Sequence, residues 1–214
     1  MRSIHHPPRL LQMLNFRRAF LAVLLLVPVC LCTTKAGPIQ GVSIRNPSVP
    51  ASAGGNGDSV APGISADERF VLFSSSANNL VPGDNSQLRL DAFLHDCANS
   101  TTVLVSANFS GTGGGNDNSI AGQVSTNGRY AAFQSGASDL LPGDTNGVCD
   151  IFVRDLQMGS NILVSVATDG GWANGASTDP VMTPDGRYVA FISTATNLVA
   201  GDTNGIPDLF LRDL

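Results

Sequence analysis

A chain of 214 residues is long enough for one domain with a sizeable core, and its 23 glycines and 14% charged residues suit short strands joined by polar turns better than long helices. Beyond residue 36, seven arginines stand against all 17 acidic residues, a formal charge of −10. That balance excludes nucleic acid and anionic lipid surfaces as natural partners.

Residues 1–36 read as a signal peptide. Arg17 and Arg18 precede an apolar run from Ala19 to Cys32, and Thr34, Lys35 and Ala36 offer small residues for cleavage. The run is well short of the ~20 residues that cross a bilayer, and no later segment is apolar enough to try, so no membrane span is expected. Export to the periplasm or the cell exterior follows. Met13 is an alternative start, and a lipoprotein reading on Cys30 is opposed by Val29, which stands where a small residue is wanted. Once Cys30 and Cys32 leave with the signal, Cys97 and Cys149 remain. They are expected at opposite ends of neighbouring units, as two separate thiols.

Residues 37–214 are dominated by self-similarity. The segments starting at Ile64, Val124 and Met182 align throughout, and Arg69, Arg129 and Arg187 mark a period of 60 and then 58 residues. Each copy runs on through a Gly-Asp pair (Gly83-Asp84, Gly143-Asp144, Gly201-Asp202) into a short strand: Asp91 to Asp96, Asp150 to Asp155, Asp208 to Asp213. A further β-branched strand follows in two copies, Thr102 to Ser106 and Ile162 to Val166. The units are about 60–106, 119–166 and 178–214, each with strands A to D, the third without D. The A–B connection carries Asn127-Gly128 and Asp185-Gly186, strong hairpin chemistry, whereas Ala66-Asp67-Glu68 departs from it. In strand B, Tyr130, Ala132, Tyr188 and Ala190 face one way and Phe133 and Phe191 the other, the pattern of a sheet held between two sheets.

The run Thr183-Pro-Asp-Gly-Arg-Tyr-Val-Ala-Phe191, followed by Asp208-Leu-Phe-Leu-Arg-Asp213, resembles the TolB-type, WD-like propeller repeat. The resemblance covers roughly residues 41–214 and implies an all-β fold: a β-propeller built from three four-stranded blades, in a bacterial protein. Val42-Ser43-Ile44 resembles Val164-Ser165-Val166, so residues 41–45 read as an orphan D strand able to close a ring with the third unit. Propellers have about four or more blades. Three units therefore imply half of a six-bladed ring completed by a homodimer, or part of a longer protein.

In such blades the B–C and D–A connections share one face, which receives the long polar loops. Two B–C loops repeat Gly-Asp-Thr-Asn-Gly-x-x-Asp. Their Asp144, Asn146, Asp150 and Asp202, Asn204, Asp208 are candidate calcium ligands, since a hard cation takes several carboxylate and carbonyl oxygens. The same residues also build Asx-turns. Asn56, Asn116 and Asn174 recur in register as turn residues, and Trp172 is either an exposed anchor or packed over its loop. Catalysis finds little support. His5 and His6 lie in the signal, and His95 fills the slot of Arg154 and Arg212, which leaves no serine or cysteine with a histidine base. Arg154-Asp155 and Arg212-Asp213 read as strand-end hydrogen-bonding groups or ion pairs. The expected function is a non-catalytic binding or scaffold module meeting protein or polysaccharide. The propeller portion of a larger secreted hydrolase or lyase and a calcium-stabilised surface repeat are the alternatives.

Overall fold

A computed structural model of the chain describes residues 41–44, 46, 54–84 and 89–214. The expected signal at 1–36 lies outside these residues, as do Arg45, Asn85 and Ser86. Every regular element among them is a strand, in three antiparallel sheets. Blade one holds β1 (Ser59–Ile64), β2 (Phe70–Ser75), β3 (Asp91–Asp96) and β4 (Thr101–Leu104) in that spatial order. Blade two repeats it with β5 (Ser119–Val124), β6 (Tyr130–Ser135), β7 (Asp150–Asp155) and β8 (Ser160–Leu163). Blade three has β9 (Ser177–Met182), β10 (Tyr188–Ser193) and β11 (Asp208–Asp213). This is the all-β blade architecture that the repeat implied.

Two strand expectations need correction. The outer strands run from Thr101 to Leu104 and from Ser160 to Leu163, ending before the Ser106 and Val166 expected to close them. At that point the chain turns inward into an elbow, because Ser106 and Ser165 bind the start of the neighbouring strand: Ala92 N and Ile151 N donate to their hydroxyls at 3.0 and 3.1 Å. The second correction concerns Val42-Ser43-Ile44, which forms no strand and occupies the position of an elbow leading into blade one. Gly55 N donates to Ser43 O, as Gly115 N does to Ser106 O, and Asn46 N donates to Asn79 O, as Phe109 N does to Asp139 O.

The A–B turns follow one hydrogen-bond scheme, built by a hydroxyl and an Asx residue. Ser65, Ser125 and Thr183 donate to Asp67, Asn127 and Asp185, whose oxygens also accept the N–H two residues on. Blade one keeps this scheme with Glu68 at φ 63 where the others have glycine.

Strand B alternation builds the core. Leu72, Ala92 and Leu94 of blade one pack against Val124, Ala131, Phe133 and Phe152 of blade two. One blade on, Ala132, Ile151 and Val153 pack against Met182, Val189 and Phe191. Each sheet thus offers one apolar set to the preceding blade and a second to the following one, at about 25 cal/mol per Å² of apolar surface removed from water. Stacked Phe133 and Phe152, centroids 5.7 Å apart, fill the middle of blade two.

Candidate functional site

The loop face is underlain by a polar row that crosses each blade where strands A, B and C meet the elbow. In blade one, Ser59 Oγ donates to Ser75 Oγ at 3.1 Å, Ser75 pairs with Asp91, and Ser106 Oγ donates to Asp91 Oδ1 at 2.8 Å. Blade two repeats it as Ser119, Ser135, Asp150 and Ser165, the last at 2.6 Å. In blade three Ser177, Ser193 and Asp208 keep the order. Burial pushes Asp91 up to about 7, against the Ser106 bond, and Asp150 up to about 6, against its Ser165 and Asn146 bonds.

Above the row, Asn56, Asn116 and Asn174 brace each D–A loop to the B–C loop beside it. Asn116 Nδ2 donates to Ser138 Oγ at 3.0 Å, Asn116 Oδ1 accepts Ser138 N at 2.9 Å, and Asn116 N donates to Asp139 Oδ1 at 2.8 Å. Asn56 and Asn174 make the equivalent bonds to Asn78 and Asn79 and to Thr196 and Asn197. Their expected part as turn residues is thus extended: they hold two loops together.

The six calcium candidates fall into two Asx-turn clusters. Asn146 Nδ2 donates to Asp150 Oδ2 at 2.6 Å and to Ala173 O at 3.1 Å, while Asn146 Oδ1 accepts Val148 N at 3.2 Å. Those bonds fix the amide with its NH2 toward Asp150. Asp144 Oδ1 accepts Asn146 N at 3.4 Å, and burial raises its pKa. Asp202, Asn204 and Asp208 repeat the arrangement, with Asn204 Nδ2 on Asp208 Oδ2 at 3.1 Å. No cluster of three or more His, Cys, Asp or Glu side chains with metal-ligating geometry occurs among the described residues.

Trp172 lies half-buried with its ring 6.4 Å from Phe152, so it packs against the core beneath its loop. The exposed aromatic on this face is Phe109, 61% accessible, in the D–A loop between blades one and two. The sequence did not single it out. The available signal was an apolar ring amid Ser, Asn and Gly. Asn108 ties its own loop, accepting Thr112 N at 3.0 Å and Ser110 Oγ at 2.9 Å.

On the opposite face Asp96, Asp155 and Asp213 pair with Arg69, Arg129 and Arg187 of the A–B turns at 2.7–2.8 Å, not with the adjacent arginines. Adjacent strand residues point to opposite sides of a sheet. Each turn arginine also lies over the next ring, Phe70, Tyr130 or Tyr188, at 4.7–4.9 Å. Arg212 instead reaches the elbow of blade two, donating to Val164 O and Val166 O. His95 is fully buried in the matching strand position, with Nδ1 2.9 Å from Thr102 Oγ1. Cys97 and Cys149 are both free thiols at opposite ends of their blades, and burial pushes Cys149 up to about 11.

No family model and no curated protein matches the chain. Among solved structures, TolB from Acinetobacter baumannii is 18% identical with a TM-score of 0.42, the match covering 76% of this chain and 31% of that one. A putative TolB from Agrobacterium tumefaciens is 17% identical, TM-score 0.41, over 73% of this chain and 58% of the other. The β-propeller domain of the Trilobed protease from Pyrococcus furiosus is 13% identical, TM-score 0.42, over 64% and 33%. The chain therefore spans about a third of the length of the Acinetobacter structure. Its own three sheets define the architecture.

Proposed function

We propose that the chain is an exported, non-catalytic β-propeller module that binds a protein or polysaccharide through its D–A and B–C loop face. Phe109 carries the reading: a ring 61% exposed, on a loop whose neighbouring segments are braced by Asn116, Ser138 and Asp139. A rigid platform loses little entropy on binding, and an aromatic anchor ringed by polar groups suits both a sugar face and an apolar protein side chain. Asp139 is engaged as a brace, and Asp91 and Asp150 as row members. The test is retention of a polysaccharide panel and of cell-envelope proteins on the immobilised chain. Phe109→Ala is expected to weaken retention about tenfold; equal retention by both forms, or none by either, refutes the reading.

A calcium reading of the B–C loops has one observation in its favour: the charge of Asp144 adds to the rise at Asp150, a strain that a cation would relieve. It requires the Asn146 amide to turn over and lose its bonds to Asp150, Ala173 and Val148. The turn geometry leads us to expect an unchanged melting midpoint on chelation. A lowered midpoint would establish the calcium sites.

A further inference from the structure

Blade three presents a face that is buried everywhere else in the molecule. Leu209 and Leu211 stand in the strand positions of Ala92 and Leu94 and of Ile151 and Val153, all of which are at most 4% exposed, yet they are 77% and 68% exposed. At the other end, Ile64 of blade one stands where Val124 and Met182 are buried against a preceding blade, and it is 56% exposed. Val71 beside it, only partly buried, matches Val189, which receives Ile151 and Val153 together with Phe191.

The polar row shows the same complementarity. Asp208 holds its Asn204 bond but lacks the elbow serine that donates to Asp91 and Asp150. Ser43 is an elbow serine by its backbone bond to Gly55, and it lacks the aspartate. One chain thus carries both halves of a fourth row, at opposite ends of its stack of sheets.

We propose that a second copy of this chain docks its blade one on blade three, with Leu209 and Leu211 packed on Ile64 and Val71 of the second copy. Ser43 of the second copy donates to Asp208 and completes the row. The interface continues the blade-to-blade contacts already present twice within the chain. Made reciprocally, the contact closes two chains into a six-bladed ring with two-fold symmetry. It does not depend on what the loop face binds, and its readout is separate from ligand retention.

The test is the solution mass of the purified chain, by light scattering, together with two variants. The chain is expected at twice its own mass, and Leu209→Glu with Leu211→Glu, on a solvent-facing surface, is expected to give a folded monomer. Ser43→Cys with Asp208→Cys is expected to form a covalent dimer on mild oxidation that is absent from the unmodified chain. A monomeric wild type, an open polymer, or a dimer indifferent to the glutamates that does not cross-link overturns the proposal.

Discussion

The third strands of blades two and three, Asp150-Ile-Phe-Val-Arg-Asp155 and Asp208-Leu-Phe-Leu-Arg-Asp213, are nearly the same sequence in the same register, and they end in opposite environments. Ile151 and Val153 are inaccessible, whereas Leu209 and Leu211 are largely exposed. Burial in this architecture belongs to the neighbour and not to the strand. The difference extends to the polar row, where Asp150 is enclosed by Ser165 and Asn146 while Asp208 has only Asn204. A stacked-sheet repeat stabilises itself mainly through such nearest-neighbour interfaces, so an end blade is the middle blade less one interface.

The largest effect that would break this comparison comes from truncating the equivalent apolar residues. Ile151→Ala leaves a cavity between blades two and three and is expected to cost about 2–5 kcal/mol. Leu209→Ala, compared at a dilution where the chain is monomeric, is expected to change stability by about 0.5 kcal/mol or less. Urea unfolding of both variants measures the contrast. Equal losses would mean that the open face is covered within a single chain.

A smaller effect sharpens the comparison at the row. Aspartate ordinarily titrates near 3.8, and in the folded chain Asp150 is pushed up to about 6 and Asp91 to about 7, chiefly by burial. Both favour the folded state in protonated form. Their contribution is therefore complete below pH ~4 and is lost as pH rises through 6 and then 7. His95 acts in the opposite sense: burial lowers its pKa below 6.5, so its contribution is present above that value and is lost as pH falls. Asp150→Asn removes one carboxylate and leaves His95 in place. The slope of stability between pH 4 and 7 is expected to become shallower, with the total change over that range altered by on the order of 3 kcal/mol at most. The slope is the readout, because the new amide meets the Asn146 NH2 and lowers stability at every pH. An unchanged slope would remove Asp150 from the account.

The period, the two-faced B strands and the side of the molecule that carries the long loops were legible in the sequence, because each rests on local alternation or turn chemistry. The elbows were not. Val105-Ser106 and Val164-Ser165 have strand composition, and only the row across four strands shows their hydroxyls turning the chain inward. Serine at 59, 75, 106, 119, 135, 165, 177 and 193 reads as a polar surface until the register sets those residues side by side. The arginine partners were legible in principle, since strand alternation forbids Arg154 and Asp155 from sharing a side. The exposure of Phe109 depends on loop packing, which no local pattern encodes.

The smallest expected effect lies at the turn edge of the proposed contact. Gly128 and Gly186 leave room for the ring of the preceding blade: an added Cβ would stand 2.4 Å from Phe70 and 2.7 Å from Tyr130. Glu68 holds the equivalent turn position in blade one at φ 63, and in the proposed ring it would meet Tyr188 of the other copy. That edge would therefore be more open than the two inside the chain. Glu68→Gly is expected to do two separable things. Relief of a left-handed non-glycine residue raises the stability of the isolated chain by about 1 kcal/mol. Removal of the Cβ lets Tyr188 seat as Phe70 and Tyr130 do, which lowers the concentration at which the dimer dissociates. Sedimentation across a dilution series, read beside urea unfolding of the monomer, separates the two. A gain in stability with no change in association would place the second copy somewhere other than on blade one.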